Sequence, residues 1–182
     1  MNCKIEKSKL VGKIICPSNK SYTHRAIFLA ALSDGKSIVK KILRSNDTIA
    51  TINACRGFGV EVEELENNVT INNTINETVQ SSIINAENSG TTIRIAIAIA
   101  ALSGGNTTLT GDESLRKRPM QPILDALQTM GVKTESDGGK PPIHLNGKIQ
   151  GKEISINGDF SSQFISALLI IAPRLPEGLI IN

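Results

Sequence analysis

The chain has 182 residues, 40% hydrophobic and 20% charged, with a formal net charge of +3, which leaves room for one domain or two small ones. That charge is too mild for a nucleic-acid binder, and 3% aromatics with no Trp leave few surfaces for base stacking. No apolar run approaches the roughly 20 residues of a membrane span, and the opening MNCKIEKSKL lacks the apolar centre of a signal peptide, so a cytoplasmic location is expected. Cys3, Cys16 and Cys55 form no CxxC pair and read as free thiols, and two histidines at no ligand spacing give no metal site.

The first element lies in PSNKSYTHRAIFLAAL, residues 17–32. Ala26, Ile27, Leu29, Ala30 and Leu32 make a broad apolar face, so the stretch predicts a buried helix. Its start carries Lys20, His24 and Arg25, where the helix dipole prefers acids. His24 reads as a packing or hydrogen-bonding residue. A β-branched strand is predicted over Ser37–Val39, and KKILR at 40–44 reads as a solvated rim. A second helix should start near a cap at Asn46-Asp47 and carry Ile49, Ile52, Cys55 and Phe58 on one side. A strand pair over 60–65 and 69–71 would close around an Asn67-Asn68 turn.

The pattern then repeats. LAALSDGKSIV at 29–39 returns as IAALSGGNTTL at 99–109, Arg25 returns as Arg94, and INACRGFGVEVE pairs with LDALQTMGVKTE. The second copy predicts a helix after ENSGTT, a strand over 107–110, and a second helix from about Pro119 carrying Ile123, Leu127 and Met130. His144, in PPIHLNG, reads as a surface strand residue. A third copy begins in SSQFISALLIIAPRLPEGLIIN, where Gly178 takes the place of Gly35 and Gly105 as the left-handed stop of a helix. Each unit is βαβαββ, and the third is incomplete. A strand edge left open this way implies a piece of a longer protein.

The first-helix starts of the three copies are PSNKS, ENSGTT and GDFSSQ. If the copies pack around a pseudo-symmetry axis, these starts converge. Exposed backbone N–H groups, hydroxyl donors and basic side chains together make an anion site. LRKRP at 115–119 adds Arg116, Lys117 and Arg118 beside a proline suited to a first helical turn. Cations at helix starts cost stability unless an anion neutralises them. Neither the GG pairs nor PSNKS fits a dinucleotide or P-loop fingerprint.

PSNKSYTHRAIFLAALSDGKS, NSGTTIR, LTGDESLRKRPMQPILDAL and GDFSSQFISALL occur in the order and spacing of the 5-enolpyruvylshikimate-3-phosphate synthase family (3-phosphoshikimate 1-carboxyvinyltransferases), and the chain resembles that family's N-terminal portion. The resemblance implies an α+β fold of repeated βαβαββ units around a pseudo-threefold axis. It implies residues 1–12 as a strand of the other domain, 13–182 as the shikimate 3-phosphate-binding domain truncated in its third repeat, and a missing C-terminal domain as partner. It also implies transfer of the enolpyruvyl group of phosphoenolpyruvate to shikimate 3-phosphate, on the route to chorismate and aromatic amino acids. By motif, Lys20 resembles the lysine touching both substrates. Ser21, Arg25, Ser161, Ser162 and Gln163 resemble shikimate 3-phosphate ligands, and Asn88, Gly90, Arg94, Arg118 and Gln163 phosphoenolpyruvate ligands. No metal, organic cofactor, nucleic acid or membrane partner is implied. The main acid/base groups belong to the missing domain, so this chain alone is expected to bind substrate at most. The loops depart from the family at Ser18-Asn19, where it often has Gly-Ser, and at Ser89, Thr92 and Ile95.

Two other readings stay open. A UDP-N-acetylglucosamine enolpyruvyl transferase shares the architecture but needs a reactive cysteine in an extended loop, and LRKRP has none. A non-catalytic anion- or RNA-binding module of the same fold would show salt-steep RNA binding and no response to shikimate 3-phosphate.

Overall fold

The computed structural model describes residues 3–9, 11–73, 75 and 81–182. Unit one runs α1 (Lys20–Leu32), β1 (Ser37–Val39), α2 (Asn46–Gly57), β2 (Val62–Leu65) and β3 (Asn68–Ile71). Unit two runs β4 (Ser81–Asn85), α3 (Gly90–Ser103), β5 (Gly104–Thr110), a 3-10 turn (Leu115–Lys117), α4 (Gln121–Thr129), β6 (Lys133–Asp137) and β7 (Lys140–Gly147). Unit three holds β8 (Glu153–Ile154), α5 (Ser162–Ile171), a 3-10 turn (Ala172–Arg174) and β9 (Ile180–Ile181).

The sheets repeat one plan. In unit two the order is β4-β5-β7-β6, with β4 parallel to β5 and the rest antiparallel. Unit one has the order β1-β3-β2, which is the same sheet without its first strand, and unit three has the parallel pair β8-β9, which is that first pair alone. A parallel pair needs a crossover between its strands. In units two and three α3 and α5 are those crossovers.

The first helices of the units meet in the interior, with α3 packed on α5 and both touching α1. Their starts therefore lie together. α3 is buried on every side; Ile93, Ile95, Ile97, Ile99 and the alanines between them all lie in one core cluster. Each start is capped by a short polar side chain: Asn19 accepts from Tyr22 N at 2.9 Å, Ser89 from Thr92 N at 3.2 Å, and Ser161 from Gln163 N at 3.2 Å. Such caps satisfy one of the unpaired N–H groups of a first turn and leave others for a ligand.

Several boundaries differ from expectation. Ser45, not Asn46-Asp47, caps α2, in a reciprocal capping box with Thr48. The β2–β3 turn is centred on Glu66-Asn67, with Glu66 at φ 50°, so Asn68 already opens β3. α4 starts at Gln121 and takes Pro122, not Pro119, into its first turn. α3 stops at Gly104 in the left-handed region, while α1 stops at extended Ser33 with Gly35 at φ 80° beyond it. Residues 3–9, where a strand was expected, form no strand and are exposed. Among the described residues no helix is long and apolar enough to cross a membrane.

Candidate functional site

The convergence of helix starts produces a cleft of about 300 Å³ lined by Lys20, Asp47, Asn88, Gly90, Thr91, Arg94, Arg118 and Gln163. α1 contributes Lys20 from its first turn. α2 contributes Asp47, whose Oδ2 is 2.6 Å from Lys20 Nζ. α3 contributes Gly90, Thr91 and Arg94. The segment after the Leu115–Lys117 turn swings Arg118 in, and α5 brings Gln163 from the third unit.

Hydrogen bonds fix most of these groups. Arg94 Nη1 donates to Gly90 O at 3.2 Å and to Gln163 Oε1 at 2.9 Å, and its guanidinium lies 5.3 Å from the centre of the Phe164 ring. Arg118 Nη2 donates to Asn88 Oδ1 at 2.7 Å, while Asn88 Nδ2 donates to Asp112 Oδ2 at 2.7 Å. Asp112 also accepts from the backbone of Leu115 at 2.8 Å. That backbone bond, with the bond from Asn88 and the Arg118 charge, holds the Asp112 carboxyl below its ordinary range. Asp112 thus stays ionised and orients the amide that orients Arg118.

Gly90 sits where the two arginines close in. A Cβ there would lie 2.8 Å from Nη1 of both Arg94 and Arg118. Burial first, and then the neighbouring Arg118 charge, pull the Arg94 pKa down from its usual value. Like charges brought together beside one glycine repel, and more strongly where burial excludes water. Exposed ion pairs contribute about 1 kcal/mol or less, so the surrounding surface bridges do not offset that repulsion. A bound anion does, because guanidinium forks match phosphate and carboxylate oxygens.

Of the residues expected from sequence, Lys20, Asn88, Gly90, Arg94, Arg118 and Gln163 line this cleft. Ser21 and Arg25 do not; Arg25 Nη1 folds back on Ser21 O at 3.2 Å along α1. Ser161 caps α5 and Ser162 is exposed at its start. Ser161 borders a second, more apolar cavity of about 460 Å³ between α4, β8 and α5, whose walls include Pro122, Ala126, Ile156, Phe160 and Phe164. Arg94 reaches both cavities. Asp47, Thr91 and Asp112 were missed. An acid in a first helical turn suits the dipole, so Asp47 gave no anomaly to notice. Among the described residues no group of His, Cys, Asp and Glu comes together to hold a metal ion.

Comparison with known proteins agrees on one family. The family model for EPSP synthase (3-phosphoshikimate 1-carboxyvinyltransferase) matches residues 5–182. A 3-phosphoshikimate 1-carboxyvinyltransferase of Nitrosopumilus maritimus is 56% identical over 179 residues, covering 98% of this chain and 42% of the relative. One from Methanothermobacter thermautotrophicus is 47% identical over 182 residues, covering 98% of this chain and 43% of the relative. The solved EPSP synthase of Acinetobacter baumannii superposes with a TM-score of 0.75 at 29% identity, over 88% of this chain and 38% of that one. The chain thus spans about 42% of the length of such relatives.

Proposed function

The chain belongs to the EPSP synthase family, and on that premise we propose that it carries the anion-binding half of an enolpyruvyl transferase acting on phosphoenolpyruvate and shikimate 3-phosphate. The observation that carries this reading is the meeting of Lys20, Arg94 and Arg118 in one cleft around Gly90, at the starts of two helices. Both substrates are phosphorylated and one is also a carboxylate. Their mutual repulsion must be offset before they can react.

In the proposed reaction the 5-hydroxyl of shikimate 3-phosphate gives up its proton to a base as its oxygen bonds to the enol carbon, while the carbon–carbon double bond opens and the methylene carbon takes a proton from an acid. The resulting tetrahedral ketal phosphate loses a methyl proton and breaks its bond to phosphate, leaving the enolpyruvyl ether and inorganic phosphate. Arg94, Arg118, Asn88 and the Gly90 region hold phosphoenolpyruvate, and Lys20 lies between the two substrates. Gln163, with Ser21, Arg25, Ser161 and Ser162 at the starts of α1 and α5, holds the acceptor. Held this way the substrates react as if within one molecule, and fixed cations meet the charge that develops on the phosphate. On this reading the main proton-transfer groups belong to the C-terminal domain that the resemblance implies. That domain is the proposed partner, and the cytoplasm the proposed location.

Calorimetric titration of the chain with shikimate 3-phosphate, and with phosphoenolpyruvate in its presence, tests the proposal. Saturable binding abolished by Arg25→Ala for the first ligand and by Arg118→Ala for the second is expected. A folded chain that answers to neither ligand would sink it.

A further inference from the structure

Beneath the cleft runs a row of buried polar side chains to which the proposed reaction gives no part. His24 Nδ1 is 2.6 Å from Thr51 Oγ1, Thr51 Oγ1 is 2.7 Å from Thr92 Oγ1, and Thr92 Oγ1 is 2.7 Å from Ser89 Oγ. All four residues are almost wholly excluded from solvent. We infer that Thr51 and Thr92, anchored by His24, are positioning residues that set the spacing of the cleft's walls.

The placement carries the argument. His24 lies one helical turn after Lys20 on α1, and Thr51 one turn after Asp47 on α2, so each stands directly behind a cleft residue. Thr92 is in the first turn of α3, two residues after Gly90, and its partner Ser89 is the cap that opens that helix. The row also reaches a cleft residue's backbone, since Thr92 Oγ1 lies 3.3 Å from Asp47 O and can donate to it. Thr92 belongs to unit two and Asp47 to unit one. The row is therefore a lateral tie between repeats, within one turn of the ligand-facing groups.

Proton bookkeeping gives the row a direction. His24 Nε2 is buried with no hydrogen-bond partner. A buried N–H without a partner is rarer in proteins than an unfilled acceptor. The proton therefore sits on Nδ1 and is donated to Thr51, Thr51 donates to Thr92, and Thr92 donates to Ser89 Oγ or Asp47 O. The links from His24 to Thr51 and from Thr51 to Thr92 are then made bonds, and three helices are held at hydrogen-bond distance. Apolar contacts in the same place would tolerate sliding that hydrogen bonds of this length do not.

The inference rests on the cleft binding an anion, not on which phosphorylated substrate supplies it. The test is an NMR titration of the labelled chain with inorganic phosphate, comparing wild type, Thr51→Val and Thr51→Ser. Thr51→Val keeps the shape and removes both hydrogen bonds made through Thr51, so phosphate affinity should fall at least roughly tenfold, the size expected for losing one to two buried hydrogen bonds. The Gly90 and Thr91 amides should shift even without ligand. Thr51→Ser restores the hydroxyl and should return affinity to within about twofold. A folded Thr51→Val chain that binds phosphate like wild type overturns the inference, as does a wild-type chain that binds none. Phosphate binding without any response to the two substrates would instead overturn the proposed reaction and leave the tie standing. Should Thr51→Val fail to fold, the wild-type His24 imidazole nitrogens decide: one fixed tautomer protonated at Nδ1 supports the row, and rapid exchange between tautomers overturns it.

Discussion

Gln163 Oε1 accepts a hydrogen bond from Arg94 Nη1 at 2.9 Å, tying the start of α5 in unit three to the first turns of α3 in unit two. A guanidinium can only donate, so this bond fixes the amide with its oxygen on Arg94 and its NH2 left to donate to a ligand. Gln163→Ala removes that donor and frees Arg94, and should weaken anion binding about tenfold. Gln163→Glu should do more harm, because a carboxylate on Arg94 cancels the charge that draws the anion. Calorimetry with phosphoenolpyruvate orders the three chains; a Gln163→Glu chain that binds as tightly as wild type contradicts this account.

Asp47 stands 2.6 Å from Lys20 Nζ in a cleft otherwise arranged for anions. Lys20 is half exposed, so the pair adds about 1 kcal/mol or less to stability. Its carboxylate also repels an incoming phosphate, and the pairing with Lys20 cancels that repulsion only in part. Asp47→Asn should therefore bind inorganic phosphate up to about tenfold more tightly at low ionic strength, with the gain shrinking as salt screens it, and should melt within a few degrees of wild type. Weaker phosphate binding by this variant would show that Asp47 matters by orienting Lys20.

Gly90→Ala separates stability from binding. Gly90 is the first residue of α3, and alanine is the better helix former there by up to about 1 kcal/mol. The atoms a Cβ would meet are the ends of two flexible side chains, Arg94 and Arg118. They can move aside at little cost to the fold, but then they no longer sit where they hold an anion. Thermal melting should be unchanged or slightly raised while phosphoenolpyruvate affinity falls at least tenfold. A parallel loss of both would mean that the new methyl disturbs backbone packing.

The repeat made the fold legible. Gly59-Val60 and Gly131-Val132 stand at matching places before the closing strands of units one and two, with both glycines at positive φ. Periodicity alone would have misled at α3: Ile93, Ile95, Ile97 and Ile99 alternate as in a strand, yet the segment is a helix because it is buried on all sides and one face need not differ from another. Lys20 and Arg94 were legible as cations at helix starts, although Arg25, noticed the same way, folds back along α1 and stays out of the cleft. Asp47 was not legible, since an acid there already satisfies the dipole. Asp112 acts through Asn88, and no sequence spacing announces a bond between side chains 24 residues apart. The His24–Thr51–Thr92 row joins three helices through neutral side chains, and each of those residues read singly is an ordinary helix residue.

His24 gives the row a pH signature. Burial, opposed by the Asp47 charge and assisted by Lys20 and Arg25, lowers its pKa from 6.5 to about 4. Above pH 6.5 both folded and unfolded chains hold the imidazole neutral and its contribution is complete. As pH falls from 6.5 toward 4 the unfolded chain takes up a proton that the folded chain refuses, so stability drops by about 1.4 kcal/mol per pH unit. Below the folded pKa the loss levels off. Other titrating groups act in the same range, so the measurement is a difference between wild type and His24→Gln, by urea unfolding from pH 7.5 to 4.5. Glutamine cannot titrate. The advantage of wild type over the variant should hold steady above pH 6.5 and shrink progressively below it. A difference independent of pH would mean that His24 is not held neutral, and the direction assigned to the hydrogen-bonded row would fail with it.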